Sequence, residues 1–258
     1  MKKFIDSRKD NVVKFMQDQG KSNSLGGKWT NGKAYPHILK VEDGKKQLDV
    51  IKEHNLLSGV DPDMFTVPHR FAHHLTSSQV MCYNYFRPLI TNKRTPSPEL
   101  IDILAERGVH IPEDSTCEFE ALNPMDNTSY DLAISPAKFE IKFTEQGFGK
   151  AKNDARHKAK FDNVYMDLIR KCQCLSCIPD EDPFFENYQL FRNILHIDDK
   201  SKYAIFIFPK GNTQCAKEFR EFVDRFINDG YKENVQVWYW EDLLAGKEDS
   251  DFYKKYLR

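Results

Sequence analysis

Residues 117–149 read CEFEALNPMDNTSYDLAISPAKFEIKFTEQGFG, and the fold is decided here. Three pieces alternate with the period of a strand: Cys117–Leu122, Tyr130–Ile134 and Lys138–Thr144. The last two are joined by a short Ser135-Pro136 turn, which makes them a hairpin. Side chains on a strand point alternately to its two faces. In the third piece Phe139, Ile141 and Phe143 therefore share a core face, and Glu140, Lys142 and Thr144 share the other. In the first piece Glu118 and Glu120 share one face, and Phe119 shares the opposite one with Cys117 and Ala121. The hairpin brings Asp131 within reach of Glu140 and Lys142. Up to four carboxylates and one ammonium then meet on one sheet surface.

Outward from this stretch the pattern is mixed. Thr76, Ser77 or Ser78 caps a helix over SSQVMCYNYFRPLI, and a second helix runs from Pro98 to Arg107, with Gly108 after its last turn. Helices are also expected near Asn11–Gln19, over Asn153–Lys171, from about Phe185 to Leu195, over Thr213–Asn228, and from Glu241. Tyr203–Phe208 (YAIFIF) is a continuous apolar run, the pattern of a strand buried on both faces. Asn234–Trp240 is a last strand. The order predicts an α/β (α+β) fold with a mixed central sheet flanked by helices. We expect residues 1–69 to be a basic, loop-rich N-terminal extension and residues 70–258 to form the main domain.

The 258 residues carry 38 Lys+Arg against 39 Asp+Glu, so net charge alone does not point to a polyanionic partner. No apolar run reaches membrane-spanning length, and the N-terminus lacks the apolar stretch of a signal peptide. Six cysteines in a chain this long do not form a secreted disulfide framework, so a reduced, cytoplasmic setting is expected.

Carboxylates crowded on one face repel and raise one another's pKa. A hard divalent cation relieves this, because magnesium takes oxygen ligands from one or two carboxylates, water and phosphate. A cation can acidify a bound water and stabilise charge on a phosphodiester, and a neighbouring lysine can orient that water and balance charge. A lone Glu-x-Lys is more often a solvated strand face; the upstream aspartate and the acidic strand strengthen the pattern.

The series FE, YDL and FEIKFTEQGFG resembles the PD-(D/E)XK nuclease superfamily, and is closest to a bacterial restriction-endonuclease-like group. HHLTSSQ, Asn84 with Phe86–Leu89, EFEALNP and YQLFRN at Tyr188–Asn193 extend the resemblance over roughly residues 70–210. It implies a restriction-endonuclease-like fold and Mg2+-dependent hydrolysis of DNA, in restriction or defence. Asp131 would be the metal-binding aspartate, Glu140 the second acidic ligand and Lys142 the motif's lysine. Tyr130 stands where the usual proline would be. Glu120 is favoured as an additional catalytic and metal-binding carboxylate, with Glu118 as competitor. Gln189 would face the active site, sharing a helix face with Arg192.

From Lys142 to Lys171 there are eight Lys/Arg and four Asp/Glu. Lys150, Lys152, Arg156 and Lys158, with Gln189 and Arg192, are the candidate DNA-binding residues. An exposed helix face explains the cluster equally well. Gly147 and Gly149 either let backbone approach a phosphate or mark a loop. Two-strand cutting favours a homodimer.

Two other readings compete. One is a non-catalytic DNA-binding or assembly protein on the same fold. The other is a zinc module using Cys172, Cys174 and Cys177 with His196 or Cys215. His69, His73 and His74 read best as structural histidines, and Trp238-Tyr239-Trp240 as an edge of the core rather than a base-stacking surface.

Overall fold

The computed structural model describes residues 1–42, 44–198 and 202–258. Its centre is a five-stranded sheet in the order β1-β2-β3-β4-β5. The strands are β1 (Cys117–Leu122), β2 (Ser129–Ile134), β3 (Ala137–Ile141), β4 (Tyr203–Phe208) and β5 (Val235–Tyr239). The first two pairings are antiparallel and the last two parallel, so the sheet is mixed, as expected. Ile134 pairs with Ala137 across the two-residue Ser135-Pro136 turn.

The helices are α1 (Lys2–Asp18), α2 (Gln47–His54), α3 (Ser78–Phe86), α4 (Pro98–Ala105), α5 (Ala155–Lys160), α6 (Met166–Lys171), α7 (Glu181–Glu186), α8 (Tyr188–Ile194), α9 (Thr213–Phe226), α10 (Trp240–Leu243) and α11 (Asp251–Tyr256). Local chemistry sets several starts. Ser77 Oγ accepts from Val80 N, and Ser97 Oγ accepts from Leu100 N with Pro98 in the first turn. The basic helix expected over Asn153–Lys171 is interrupted: a π turn at Phe161–Tyr165 separates α5 from α6. The helix expected from Phe185 is two, meeting at Asn187.

Each face of the sheet is covered. On one side Leu132, Ile134, Phe139, Ile141, Ile205, Ile207 and Trp238 pack with residues of α1, α3, α4, α10 and α11. On the other, Ala204, Phe206, Phe208 and Val235 pack with residues of α6 to α9. β4 contributes to both clusters, which is why YAIFIF shows no alternation. Trp238 and Trp240 are in the core.

The first 69 residues hold more helix than the single short one expected. Val12 and Met16 from α1, with Leu25, Leu39 and Val50, join the same apolar cluster as the sheet. Asn11 Nδ2 donates to the carbonyls of Lys254 and Lys255, tying α1 to α11. The HHLTSSQ and Asn84-to-Leu89 blocks are clamps for this part of the chain. Asn84 accepts from Leu57 N and donates to Asn55 O and Tyr256 Oη. Arg87 donates to Ile90 O and pairs with Asp61.

Phe139 is fully buried, with Phe86 and Trp238 rings 5.5 and 5.9 Å away. Phe139→Ala is expected to lower stability by about 3–5 kcal/mol, read from the urea midpoint at unchanged slope. A loss under 1 kcal/mol would contradict the packing described.

Candidate active site

The β2–β3 ladder runs from Ile134–Ala137 to Leu132–Phe139. One step further, Asp131 stands level with Glu140, and cross-strand neighbours share a face. There the Ile141 N–H donates to Asp131 Oδ2 at 2.6 Å. The carboxylate has taken an amide at the end of the ladder, and this anchors Asp131 beside β3. On the other edge of β3 the parallel pairing with β4 continues, with Lys142 N donating to Ile207 O.

Glu140 and Lys142 are 6% and 8% exposed, so their charges must be met locally. Lys142 Nζ donates to Glu140 Oε1 at 2.8 Å. From α8, Gln189 Nε2 donates to the same oxygen at 2.6 Å, and Asn193 Nδ2 reaches Oε2 at 3.3 Å. Gln189 also accepts from Gly149 N, which fixes its amide. Gln189 and Asn193 are four apart and share a helix face. The site-facing pair is thus Gln189–Asn193; the expected partner Arg192 looks elsewhere. Its guanidinium donates to Thr128 Oγ1 and Asn127 O, holding the β1–β2 connection. Lys160 Nζ donates to Asp126 O in the same connection.

Of the two upstream acids, Glu120 lines the cleft with Asp131, Glu140 and Lys142, while Glu118 is exposed and lines only the neighbouring cavity. Glu120 takes a left-handed backbone, with φ of 52°. Ser129 Oγ donates to Glu120 Oε2 at 3.4 Å. Two further residues sit here that the sequence reading left out. Glu145 lines the same cleft and accepts from Phe143 N. Gln79 lines the cleft with Glu120 and spans the chain segment at Val67–His69, accepting from His69 N and donating to Val67 O. Spacing gives no sign of Gln79, which arrives from a distant helix.

The electrostatics follow from this crowding. Burial raises Asp131 well above the usual carboxylate range; Glu140 and Glu120 add to the rise, while Lys142 and the Ile141 N–H oppose it. Burial pushes Glu120 up to about 7, with Glu140 adding and Gln79 and Ser129 opposing. Burial alone would lower Lys142, but Glu140, Glu145 and Asp131 outweigh it and hold the ammonium above its ordinary value.

Among the described residues no three His, Cys, Asp or Glu side chains form a ready-made metal cage. Cys172 and Cys174 are buried with sulfurs 2.9 Å apart, but Cys177 is exposed. His196 lies beside Asp126, with Nε2 3.2 Å from Oδ1. With neither His196 nor the buried Cys215 do these cysteines form a metal-holding group among the described residues. Magnesium makes a different demand: one or two carboxylates, water and substrate phosphate suffice. A carboxylate set with raised pKa values facing a cleft fits such a cation.

Lys150, Lys152 and Arg156 are exposed, and Lys158 pairs with Glu181 at 3.1 Å. Gly147 has φ of 112°, and a Cβ there would lie 2.4 Å from the Glu218 carboxylate, which accepts from Phe148 N. Close packing accounts for this glycine without a phosphate. His73 Nδ1 meets Gln47 Nε2 at 2.8 Å, and His74 is buried among rings, as expected of structural histidines.

Glu120→Gln is expected to stabilise the metal-free protein in a pH-dependent way. A carboxyl raised on folding is harmless while protonated and costs stability once pH passes its unfolded value, about 4.3. The gain should be near zero at pH 4 and grow to roughly 1–3 kcal/mol by pH 8. Urea unfolding in EDTA across this range measures it, and a gain independent of pH would contradict the assignment.

No helix among the described residues is long and apolar enough to cross a membrane. Among curated proteins and solved structures nothing matches this chain. A family described as "Restriction Endonuclease associating with ARP" matches residues 14–258. That span takes in the sheet, the acidic face and the C-terminal end of α1, and the chain belongs to this restriction-endonuclease family.

Proposed function

We propose that this protein is a metal-dependent endonuclease that hydrolyses DNA phosphodiester bonds, in a restriction or related defence role. The observation that carries the reading is the convergence of Asp131, Glu140 and Lys142 on one cleft, with Asp131 and the neighbouring Glu120 raised by burial and by the charge of Glu140. Membership of a restriction-endonuclease family supports it.

Asp131 and Glu140 would hold Mg2+, with Glu120 as the additional carboxylate. When bound, the cation supplies charge neutralisation at the phosphodiester and a more acidic water. Lys142 is held protonated by its acidic neighbours, so in this state it stabilises negative charge and orients a water instead of taking its proton. Gln189 and Asn193 keep the Glu140 carboxylate from swinging away. Such positioning partners matter to metal sites nearly as much as the ligands.

The cleft continues past the acids. A second cavity of ≈ 310 Å³ shares Gln79, Glu120 and Asp131 with the ≈ 470 Å³ cavity that holds Glu140 and Lys142. A groove running across the acids suits a strand laid over them. Lys150, Lys152 and Arg156 follow the site directly in sequence and supply phosphate contacts that ignore base identity. Arg192 contributes through the connection that it holds in place.

Plasmid DNA should be cut with Mg2+ and left intact in EDTA. Asp131→Asn and Lys142→Ala should each reduce the rate at least about 100-fold while keeping a cooperative unfolding transition. Gln189→Ala should cost roughly 10- to 100-fold, as for other residues that orient a metal ligand. Full activity in Asp131→Asn or Lys142→Ala would exclude this site. Magnesium-independent DNA binding with no cleavage would favour the non-catalytic alternative.

A further inference from the structure

The cleft that holds the acids also has an aromatic wall. The ≈ 470 Å³ cavity that holds Asp131, Glu140 and Lys142 is also lined by Trp29, Phe71 and His74. Trp29 and Phe71 are stacked, with centroids 5.2 Å apart and planes 7° from parallel, and His74 lies 4.4 Å from Trp29. Cations border the same place: Lys9 lines the cavity, and the Arg70 guanidinium sits 4.5 Å from the Phe71 centroid.

Trp29 is not simply filling the interior. It is 36% exposed, whereas Trp238 and Trp240 are 6% and 0% exposed. Its backbone is nevertheless held firmly. Trp29 N donates to Lys33 O, Gly32 N donates to Trp29 O, and residues 28 and 34 form an antiparallel bridge. Gly27 lies so close to the next segment that a Cβ would be 2.1 Å from Leu39 O. The loop is thus fixed onto the residues beside it, and a large ring is left open to the cleft. Burial lowers His37 to about 4 and His74 to about 3, so neither carries charge at neutral pH. The wall offers π faces with cations at its border, which is how proteins bind unpaired nucleotides.

We propose that Trp29, backed by Phe71, is a nucleobase-stacking platform that takes an unpaired nucleotide next to the scissile phosphate. The inference rests on the cleft being a nuclease site. It adds that the nucleotide there is single-stranded or extruded from a duplex. The shared cavity argues for this: Glu140 and Lys142 are almost closed to solvent and Trp29 lines the same cavity, so a phosphodiester that reaches them brings its flanking nucleotide towards the ring. In an intact duplex both faces of a base are covered by its neighbours. A base can stack on Trp29 only after leaving that stack, as enzymes acting on flipped nucleotides require.

Trp29 is the exposed member of the chain's three tryptophans, so its fluorescence reports the contact directly. The full-length protein in EDTA is titrated with a single-stranded 12-mer and with the same sequence as a blunt duplex. Wild type should show quenching by the single strand, and Trp29→Phe should fold with the same melting transition and lose the quenching. By anisotropy, Trp29→Ala should weaken single-strand binding roughly 5- to 100-fold, the range for losing one base stack. Blunt-duplex affinity should change less than about twofold. Phe71→Leu, which removes the ring behind Trp29, should show a smaller loss of the same kind.

Quenching that persists in Trp29→Phe, or single-strand affinity unchanged in Trp29→Ala, would overturn the platform. Magnesium-dependent cleavage by wild type, run in parallel, separates the two readings. Wild-type cleavage with an inert Trp29 overturns the platform alone. Wild type that neither binds nor cuts nucleic acid overturns both.

Discussion

The ion pair between Lys142 and Glu140, 2.8 Å across and nearly closed to solvent, sets conditions that much of the surroundings meet. Burying two charges is costly, and their attraction compensates only if the remaining oxygens and protons also find partners. Here the second partner comes from α8. Gln189 and Asn193 donate to Glu140, and Gln189 is itself fixed by Gly149 N. The connection after β3 and the helix of another layer are thereby locked to one carboxylate. Asp131 is held differently, by a backbone amide of β3. One acid is therefore positioned by side chains and the other by main chain.

The core explains why these groups hold their places. Phe139 and Ile141 flank Glu140 and are fully buried on the opposite face, so β3 cannot rotate or slip by one residue without exposing them. β4 is buried on both faces and pairs with β3 through Glu140 and Ile141. The acidic face is thus carried by the inner part of the sheet.

What was legible in the sequence follows the range of the interactions involved. The strands and the β2–β3 hairpin were readable because alternation, a continuous apolar run and a two-residue turn are local, whereas the parallel pairings of β3, β4 and β5 join distant segments and were not. The placement of Glu140 beside Lys142, and of Asp131 across the hairpin, needed only strand period and register. Gln189 was reached through the resemblance of YQLFRN, but its partner was taken as Arg192 at three residues where the structure uses Asn193 at four. Both spacings share a helix face, so only tertiary contacts could choose between them. Gln79 closes the HHLTSSQ block, but nothing in the pattern gave it a place in the cleft, and Trp29 lay outside every block. Each reaches the cleft from a segment more than 40 residues before Glu120, along a path set by the core.

The balance of charge in the cleft links these parts. Four carboxylates, Glu120, Asp131, Glu140 and Glu145, line the cavity with one ammonium from the sheet. Left alone, the site lowers its own charge by taking up protons, which is what the raised Asp131 and Glu120 express. A divalent cation meets the same excess in a second way, and it competes with those protons, because ligand carboxylates must be ionised. A phosphodiester adds negative charge and cannot enter an uncompensated acidic cleft without cost. On the proposed function, cation and substrate would therefore be favoured together, each lowering the electrostatic cost of the other. The chain's near-zero net charge is no obstacle to this: what governs binding is a field a few ångströms across, and in this cleft the protein supplies the negative half, which a cation, on the proposed function, would complete.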